Sequence, residues 1–383
     1  MKHELKSKIQ EECLDKARKV NYSMVVAATG VGKSKIAVDY AKEIVKENPL
    51  AKILIIVPTE KLRDENWKEE FKKWEADGIW ANNIDRSCYV SANKYIENNY
   101  DLVILDEIHN ITPNNALFFS QNVVHKAIGL TATLPSDLEK TEILFNELDF
   151  QVVKTISLEQ AVELGLVSPY NIKVIEIDLN NKDKDIKAGN KAKPFFQTEY
   201  AAYKYLDSTI NRMMFSRSPA LKFKLLQRMR FIYNLESKTK AAEYLLENVI
   251  PEQERTIIFS GGIKQAERLN EHYFHSKTND ADLNSFKEGE INRLSCVNSL
   301  NEGHNIANLD NALVVQLNSK ELNLVQRIGR VIRYREGHEA TIYILMASNT
   351  QDEKWVNKAL ANFDKSKIEF IRYKNLVNNN VNI

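Results

Sequence analysis

The segment Ala27-Ala28-Thr29-Gly30-Val31-Gly32-Lys33-Ser34 brings two glycines, a lysine and a hydroxyl together within one short turn. Glycines let successive backbone N–H groups turn inward around phosphate oxygens, and a helix starting directly after them adds the positive end of its dipole. In such a loop Lys33 reaches the β- and γ-phosphates of ATP and the Ser34 hydroxyl binds Mg2+, so Thr29, Gly30, Val31, Gly32, Lys33 and Ser34 are candidate nucleotide-binding residues. About 70 residues further on, the apolar run Leu102 to Leu105 ends in Asp106-Glu107-Ile108-His109. Asp106 is placed to hold Mg2+ and Glu107 to orient or activate an attacking water. A lone Asp-Glu pair is common. Its weight here comes from the distance to Lys33, which puts the two on different strands of one sheet, as phosphoryl transfer requires.

The elements that must carry these residues are legible. Short runs rich in Val, Ile and Leu recur at Met24 to Ala28, Ile53 to Val57, Leu102 to Leu105 and Ala127 to Leu130, and again at Thr256 to Phe259, Leu313 to Leu317 and Ile342 to Leu345. Such runs read as strands buried on both faces. Helical patterns at Lys35 to Lys46, Arg63 to Trp74 and Gln265 to Phe274 alternate with them, as in parallel βαβ units. The first series closes near Phe150; Ser157-Leu158-Glu159-Gln160 then reads as a capping box for a short helix ending at Gly165, and Ser168-Pro169 breaks the chain. The pattern predicts two α/β domains, residues 1–160 and 161–383, with Ile172 to Ile177 as the first strand of the second.

At about 150 residues per domain, a chain of 383 residues also suits two or three domains. Lys+Arg 53 against Asp+Glu 52, with 43% apolar and 27% charged residues, describes an ordinary globular composition. The N-terminus lacks the apolar core of a signal peptide and no apolar run is long enough to span a bilayer, so neither secretion nor a membrane partner is expected. Three widely spaced cysteines, Cys13, Cys88 and Cys296, suit a reducing cytoplasm, and the HxxH of His272 and His275 lacks the further ligands of a metal site. There is no internal repeat or low-complexity tract.

Charge is unevenly distributed. Residues 182–240 hold fourteen Lys or Arg against five Asp or Glu, a local excess of +9 in a chain of net +1. Phe195, Phe196, Tyr200, Tyr203, Tyr205, Phe215, Phe223 and Tyr233 are interleaved with them. They read either as stacking platforms for bases or as the cores of inserted helices. A basic, mostly helical insertion over about 182–250 is expected, in contact with nucleic acid.

In order along the chain, these segments resemble the motif series of the superfamily 2 helicases and translocases. Ala27 to Ser34 is similar to their motif I, Val57-Pro58-Thr59-Glu60-Lys61-Leu62 with Trp67 and Glu70 to motif Ia, Asp106 to His109 to a DExH motif II, and Thr131-Ala132-Thr133 to motif III. Ile257 to Gly261 resembles motif IV, Leu300 to Ile306 motif V, and Gln326-Arg327-Ile328-Gly329-Arg330-Val331-Ile332-Arg333 motif VI. Asn305 departs from the Asp common in motif V. Gln10 sits where many relatives place an adenine-recognising Gln.

The resemblance implies two RecA-like domains with parallel sheets, ATP between them and nucleic acid across them. It implies catalytic roles for Lys33, Asp106, Glu107 and Gln326, with Arg330 and Arg333 as arginine fingers on the γ-phosphate. Pro58, Thr59, Ser91, Ser260, Gly261 and Gly303 are the positions where relatives grip the phosphodiester backbone. The expected activity is ATP-driven movement along DNA, of the compact kind found among phage and recombination or restriction-linked motors in a bacterial or phage-infected cytoplasm, with a protein partner for processive unwinding. An RNA helicase, or an ATP-gated clamp that unwinds nothing, are the alternative readings.

Overall fold

The computed structural model describes residues 2–135, 137–190, 192–297, 306, 308–317, 335, 337–361 and 363–380. They form two compact units, the first running to Ser168.

The first unit carries β1 (Tyr22–Ala27), β2 (Ile53–Val57), β3 (Ile84–Cys88), β4 (Asn99–Asp106), β5 (Val123–Thr131) and β6 (Gln151–Ile156). They pair throughout in parallel, in the order β3-β2-β4-β5-β1-β6. Central strands of such a sheet must be apolar on both faces, and all five residues of β2 are buried. One face packs Met24, Leu54, Val103 and Leu105 with Ile108, Phe118 and Leu144 into a core. The helix Lys33–Glu47 buries Ile36, Ala37, Val38, Tyr40 and Ala41.

The apolar runs locate β1, β2, β4 and β5, but not β3 or β6. Both are edge strands: β3 exposes Asp85 and Arg86, and β6 fully buries only Ile156. The sheet therefore continues past Phe150. The capping box forms at Ser157, whose hydroxyl accepts from the Gln160 N–H, and its helix Leu158–Glu163 stops before Gly165, at φ +64°.

The second unit contains β7 (Tyr170–Ile177), β8 (Ile186–Gly189), β9 (Pro194–Gln197), β10 (Thr256–Phe259), β11 (Tyr273–Phe274), β12 (Arg293–Cys296), β13 (Asn311–Val314), β14 (Ala340–Ala347) and β15 (Ile368–Arg372). Seven of them form a second parallel sheet, β11-β12-β10-β13-β14-β7-β15, and β8 and β9 form a small antiparallel ribbon. Helices Glu199–Phe215, Leu221–Tyr233 and Glu236–Asn248 follow the ribbon, so the insertion is helical with a short β-hairpin at its start.

The helix expected over Gln265 to Phe274 is shorter. It runs Ile263–Leu269, and Tyr273–Phe274 join the sheet edge as β11. Asn270 makes the break: it is extended, and its amide donates to the carbonyls of His272 at 2.8 Å and Arg293 at 2.9 Å, pinning the chain beside β12. No helix among the described residues is long and apolar enough to cross a membrane.

Candidate nucleotide and nucleic-acid sites

Parallel pairing sends the C-terminal ends of β1 to β5 out of one edge of the first sheet, where ligands of open α/β sheets bind. β1 ends in the Gly30–Gly32 loop, β5 in Thr131 and β4 in Asp106, in neighbouring positions. β2 ends at Pro58 and Thr59, and β3 leads into the 3-10 turn Tyr89–Lys94 that holds Ser91. The predicted nucleotide residues thus share an edge with the predicted nucleic-acid residues of this unit, side by side.

The loop conformation explains its glycines. Gly30 and Gly32 have φ of +97° and +96°, in the left-handed region. A Cβ on Gly30 would lie 2.9 Å from Val167, and one on Gly32 would lie 2.3 Å from the Gln10 amide nitrogen. Three carbonyls of the loop are taken up by side chains: Gln10 Nε2 donates to Val31 at 3.1 Å, Lys6 Nζ to Gly30 at 2.8 Å and Lys33 Nζ to Ala27 at 2.7 Å. The helix beginning at Lys33 has no side-chain cap and no acid in its first turn. Its opening N–H groups and dipole therefore suit an anion. Ser34 is the second residue of that helix, and Thr29 is half-buried at the mouth of the loop.

Lys33 faces the carboxylates. Burial pulls its ammonium below the ordinary lysine range, while the charges of Glu107 and Asp106 push it back up. Burial likewise raises the Asp106 carboxyl, opposed by a hydrogen bond from Trp67 and by Lys33. That bond runs from Trp67 Nε1 to Asp106 Oδ2 at 3.0 Å, and the Tyr89 hydroxyl donates to the Asp106 carbonyl at 3.0 Å. Glu107 adopts φ +50°, ψ +54°, a left-handed conformation costly for a residue with a Cβ and typical of functional turns.

His109 joins this turn to β5. Its Nδ1 lies 3.0 Å from Thr131 Oγ1 and 3.3 Å from Glu107 Oε2. The Thr131 hydroxyl donates its own hydrogen to the Thr133 carbonyl at 2.8 Å, so it accepts from His109, and Asn110 Nδ2 approaches Nε2 at 3.4 Å. The network assigns the imidazole hydrogen to Nδ1. Gly129 on β5 clears space for the same turn, since a Cβ there would fall 2.4 Å from Ile108 Cδ1.

The sequence missed Tyr89, Lys6 and Gly129 as site residues. Only Gly129, a glycine inside an apolar strand, carries a general signal of close approach.

In the second unit, Ser260 follows β10, but its hydroxyl is buried against Ser295 Oγ at 3.0 Å, and the Gly261 N–H donates to Gln265 Oε1 at 2.8 Å. Their polar groups are engaged within the sheet end. Gly303, Gln326, Arg330 and Arg333 lie outside the described residues.

The basic segment divides by location. Lys238 is not surface charge: it is 1% exposed, with Nζ 2.8 Å from Asp352 Oδ2 and 3.1 Å from Gln316 Oε1. Arg228 is half-buried, paired with Asp207 at 2.6 Å. Tyr203 lies in the core against Phe231, whereas Phe215 is 92% and Phe223 75% exposed. The helix-core expectation thus holds for Tyr203, while Phe215 and Phe223 stand at the surface.

Comparison with known proteins adds to this geometry. Residues 3–82 match the family described as "Type III restriction enzyme, res subunit" and residues 235–335 the "Helicase conserved C-terminal domain". The chain is 24% identical over 372 residues to "DNA 3'-5' translocase XPB2" of Sulfurisphaera tokodaii, covering 90% of this chain and 82% of that protein. It is 26% identical over 349 residues to "Putative helicase 22" of a Sulfolobus islandicus filamentous virus, covering 82% of this chain and 58% of the viral protein. Among solved structures, the Type ISP restriction-modification enzyme LlaBIII bound to DNA superimposes with TM-score 0.61 at 13% identity, over 96% of this chain and 31% of that one. The Pyrococcus furiosus Hef helicase domain superimposes with TM-score 0.51 at 15% identity, over 92% and 96%. Both share the architecture of two parallel-sheet α/β domains.

Proposed function

Because the chain belongs to superfamily 2 of the helicases and translocases, a family of ATP-hydrolysing enzymes, we propose that it couples ATP hydrolysis to movement along DNA. The observation that carries this reading is the meeting of Lys33 with Asp106 and Glu107 at one sheet edge, beside the segments of Pro58–Thr59 and Ser91. DNA is favoured over RNA by the relatives whose names specify DNA.

The residues fit ATP and Mg2+. Thr29 to Ser34 form a cradle that a Cβ at either glycine would obstruct, and Lys33 supplies the cation for the phosphates. Gln10 fixes the Val31 corner of the cradle, and its position in the motif series supports a role in reading adenine. Ser34 and Asp106 would hold Mg2+, which when bound neutralises charge on the phosphoryl oxygens. Glu107 orients the attacking water, its turn held by His109 and Thr131. For Gln326, Arg330 and Arg333 the resemblance to motif VI supports catalytic roles, the arginines acting on transition-state charge.

The helical hairpin of Glu199–Phe215 and Leu221–Tyr233 serves as a further nucleic-acid contact. From Ser208 to Leu235 the sequence has six basic residues and no acid, and the exposed Phe215 and Phe223 offer rings to unpaired bases.

The test is ATP turnover across single-stranded, forked and duplex DNA and RNA. Stimulation by DNA, lost in Arg330→Ala or Arg333→Ala by about 1,000-fold with ATP affinity much less changed, is the expected result. Turnover indifferent to every nucleic acid would remove the motor reading.

A further inference from the structure

Asp106 is held from two directions by segments that leave the same sheet edge. Trp67 follows the Pro58–Thr59 turn through a single π-helical turn, Leu62–Asn66, and opens the helix Trp67–Lys73. Its indole N–H fixes the carboxylate at 3.0 Å. Tyr89 opens the 3-10 turn that holds Ser91, and its hydroxyl fixes the Asp106 carbonyl, also at 3.0 Å. Both side chains are buried, at 2% and 5% exposure, so water does not compete for these bonds. Trp67 packs on Phe71, and Phe71 on Trp80, so the indole moves with its helix.

We propose that Trp67 and Tyr89 are positioning residues that report strand occupancy at Pro58, Thr59 and Ser91 to Asp106, coupling nucleic-acid binding to ATP hydrolysis. The inference rests on the reading of Asp106 as a Mg2+ ligand and of those segments as strand contacts. A π-helical turn holds an extra residue per turn, and π-turns are frequent at functional sites. Its relaxation toward α-geometry rotates the helix that follows, and with it the indole. A catalytic carboxylate tolerates displacements of only about 0.5 Å, so a shift carried by one hydrogen bond is enough to change turnover. The path has one side chain per segment.

The experiment compares Trp67→Phe and Tyr89→Phe, which each delete one donor and keep the ring, with Trp80→Phe, which alters packing on Phe71 without reaching Asp106. ATP turnover is measured with and without saturating single-stranded DNA and as a function of Mg2+, alongside thermal unfolding. In the two donor variants the DNA-stimulated rate should fall about tenfold more than the unstimulated rate, the loss expected for a hydrogen bond to a charged or strongly polarised group. Trp67→Phe should also raise the Mg2+ concentration for half-maximal turnover. Trp80→Phe should keep the wild-type stimulation ratio. The proposal is overturned if both donor variants keep that ratio, or if both rates fall in parallel in all three variants. If the wild-type chain shows no stimulation by any nucleic acid, the functional reading itself fails, and the proposal with it.

Discussion

His109 Nδ1 donates to Thr131 Oγ1 across 3.0 Å, tying the turn after β4 to the end of β5 while the same nitrogen lies 3.3 Å from Glu107 Oε2. The bond holds the turn where Glu107 takes its left-handed conformation, so on the water-orienting role proposed for Glu107 the third motif segment acts on that carboxylate through one imidazole. Thr131→Val keeps the volume and removes the acceptor. Turnover should fall about tenfold, with ATP affinity nearly unchanged, because the misplaced group acts on the attacking water. Steady-state kinetics and equilibrium titration with a fluorescent ATP analogue check this, and loss of affinity in step with turnover would place Thr131 in binding.

Lys33→Ala should abolish nucleotide binding, since it removes the cation from a cradle otherwise built of backbone dipoles. Glu107→Gln should bind ATP normally and hydrolyse it at least about 100-fold more slowly, the scale of lost general-base catalysis. Single-turnover measurements separate the two effects. Near-normal hydrolysis by the Glu107→Gln variant would remove Glu107 from the chemistry.

Lys238→Met leaves Asp352 charged and buried, which should cost about 3–5 kcal/mol of stability. Burial already pulls the Lys238 ammonium below its ordinary range, against the pull of Asp352. The Asp352 carboxylate also accepts from the Ala347 N–H at 2.8 Å. Asp352→Asn preserves an acceptor for that N–H, so combining it with Lys238→Met should recover most of the loss. Urea midpoints of the single and double variants test the coupling; equal midpoints would show that the pair contributes nothing.

Replacing Arg212, Arg217, Lys222 and Lys224 with Glu should weaken DNA binding and lower the salt dependence of log K by up to about four, one for each phosphate no longer neutralised. Arg228 is left out of the set because it is committed to Asp207. ATP binding without DNA should persist, since Lys33 lies in the other unit. An unchanged salt slope in the folded variant would return the hairpin to a solvated surface.

The parts of the molecule legible in the sequence are those where one local rule decides. Ile53 to Val57 could only be a buried strand, and Gly30 and Gly32 before Lys33 signal a phosphate loop wherever a strand precedes them. What stayed hidden depends on distant partners. The edge strand Ile84–Cys88 reads as polar because it needs neighbours on one side only. The helix after Ile263 stops at Leu269 because Asn270 meets Arg293, twenty-three residues away. Lys238 counts as surface charge until Asp352 arrives from 114 residues downstream. Tyr89 has no motif at all, because its contribution is a hydroxyl reaching a backbone carbonyl on β4, which follows β3 in sequence but is separated from it in the sheet by β2.

Gly129 carries a design consequence. It is missing one methyl group's worth of volume on the strand beside the hydrolytic turn, and Ile108 fills that volume. An alanine there would add no charge and remove no hydrogen bond; it would press on the flexible end of Ile108, one residue from Glu107. Position 129 is thus a mechanical trim screw for the turn proposed to carry Glu107's role, able to shift that carboxylate through shape alone without removing any polar group.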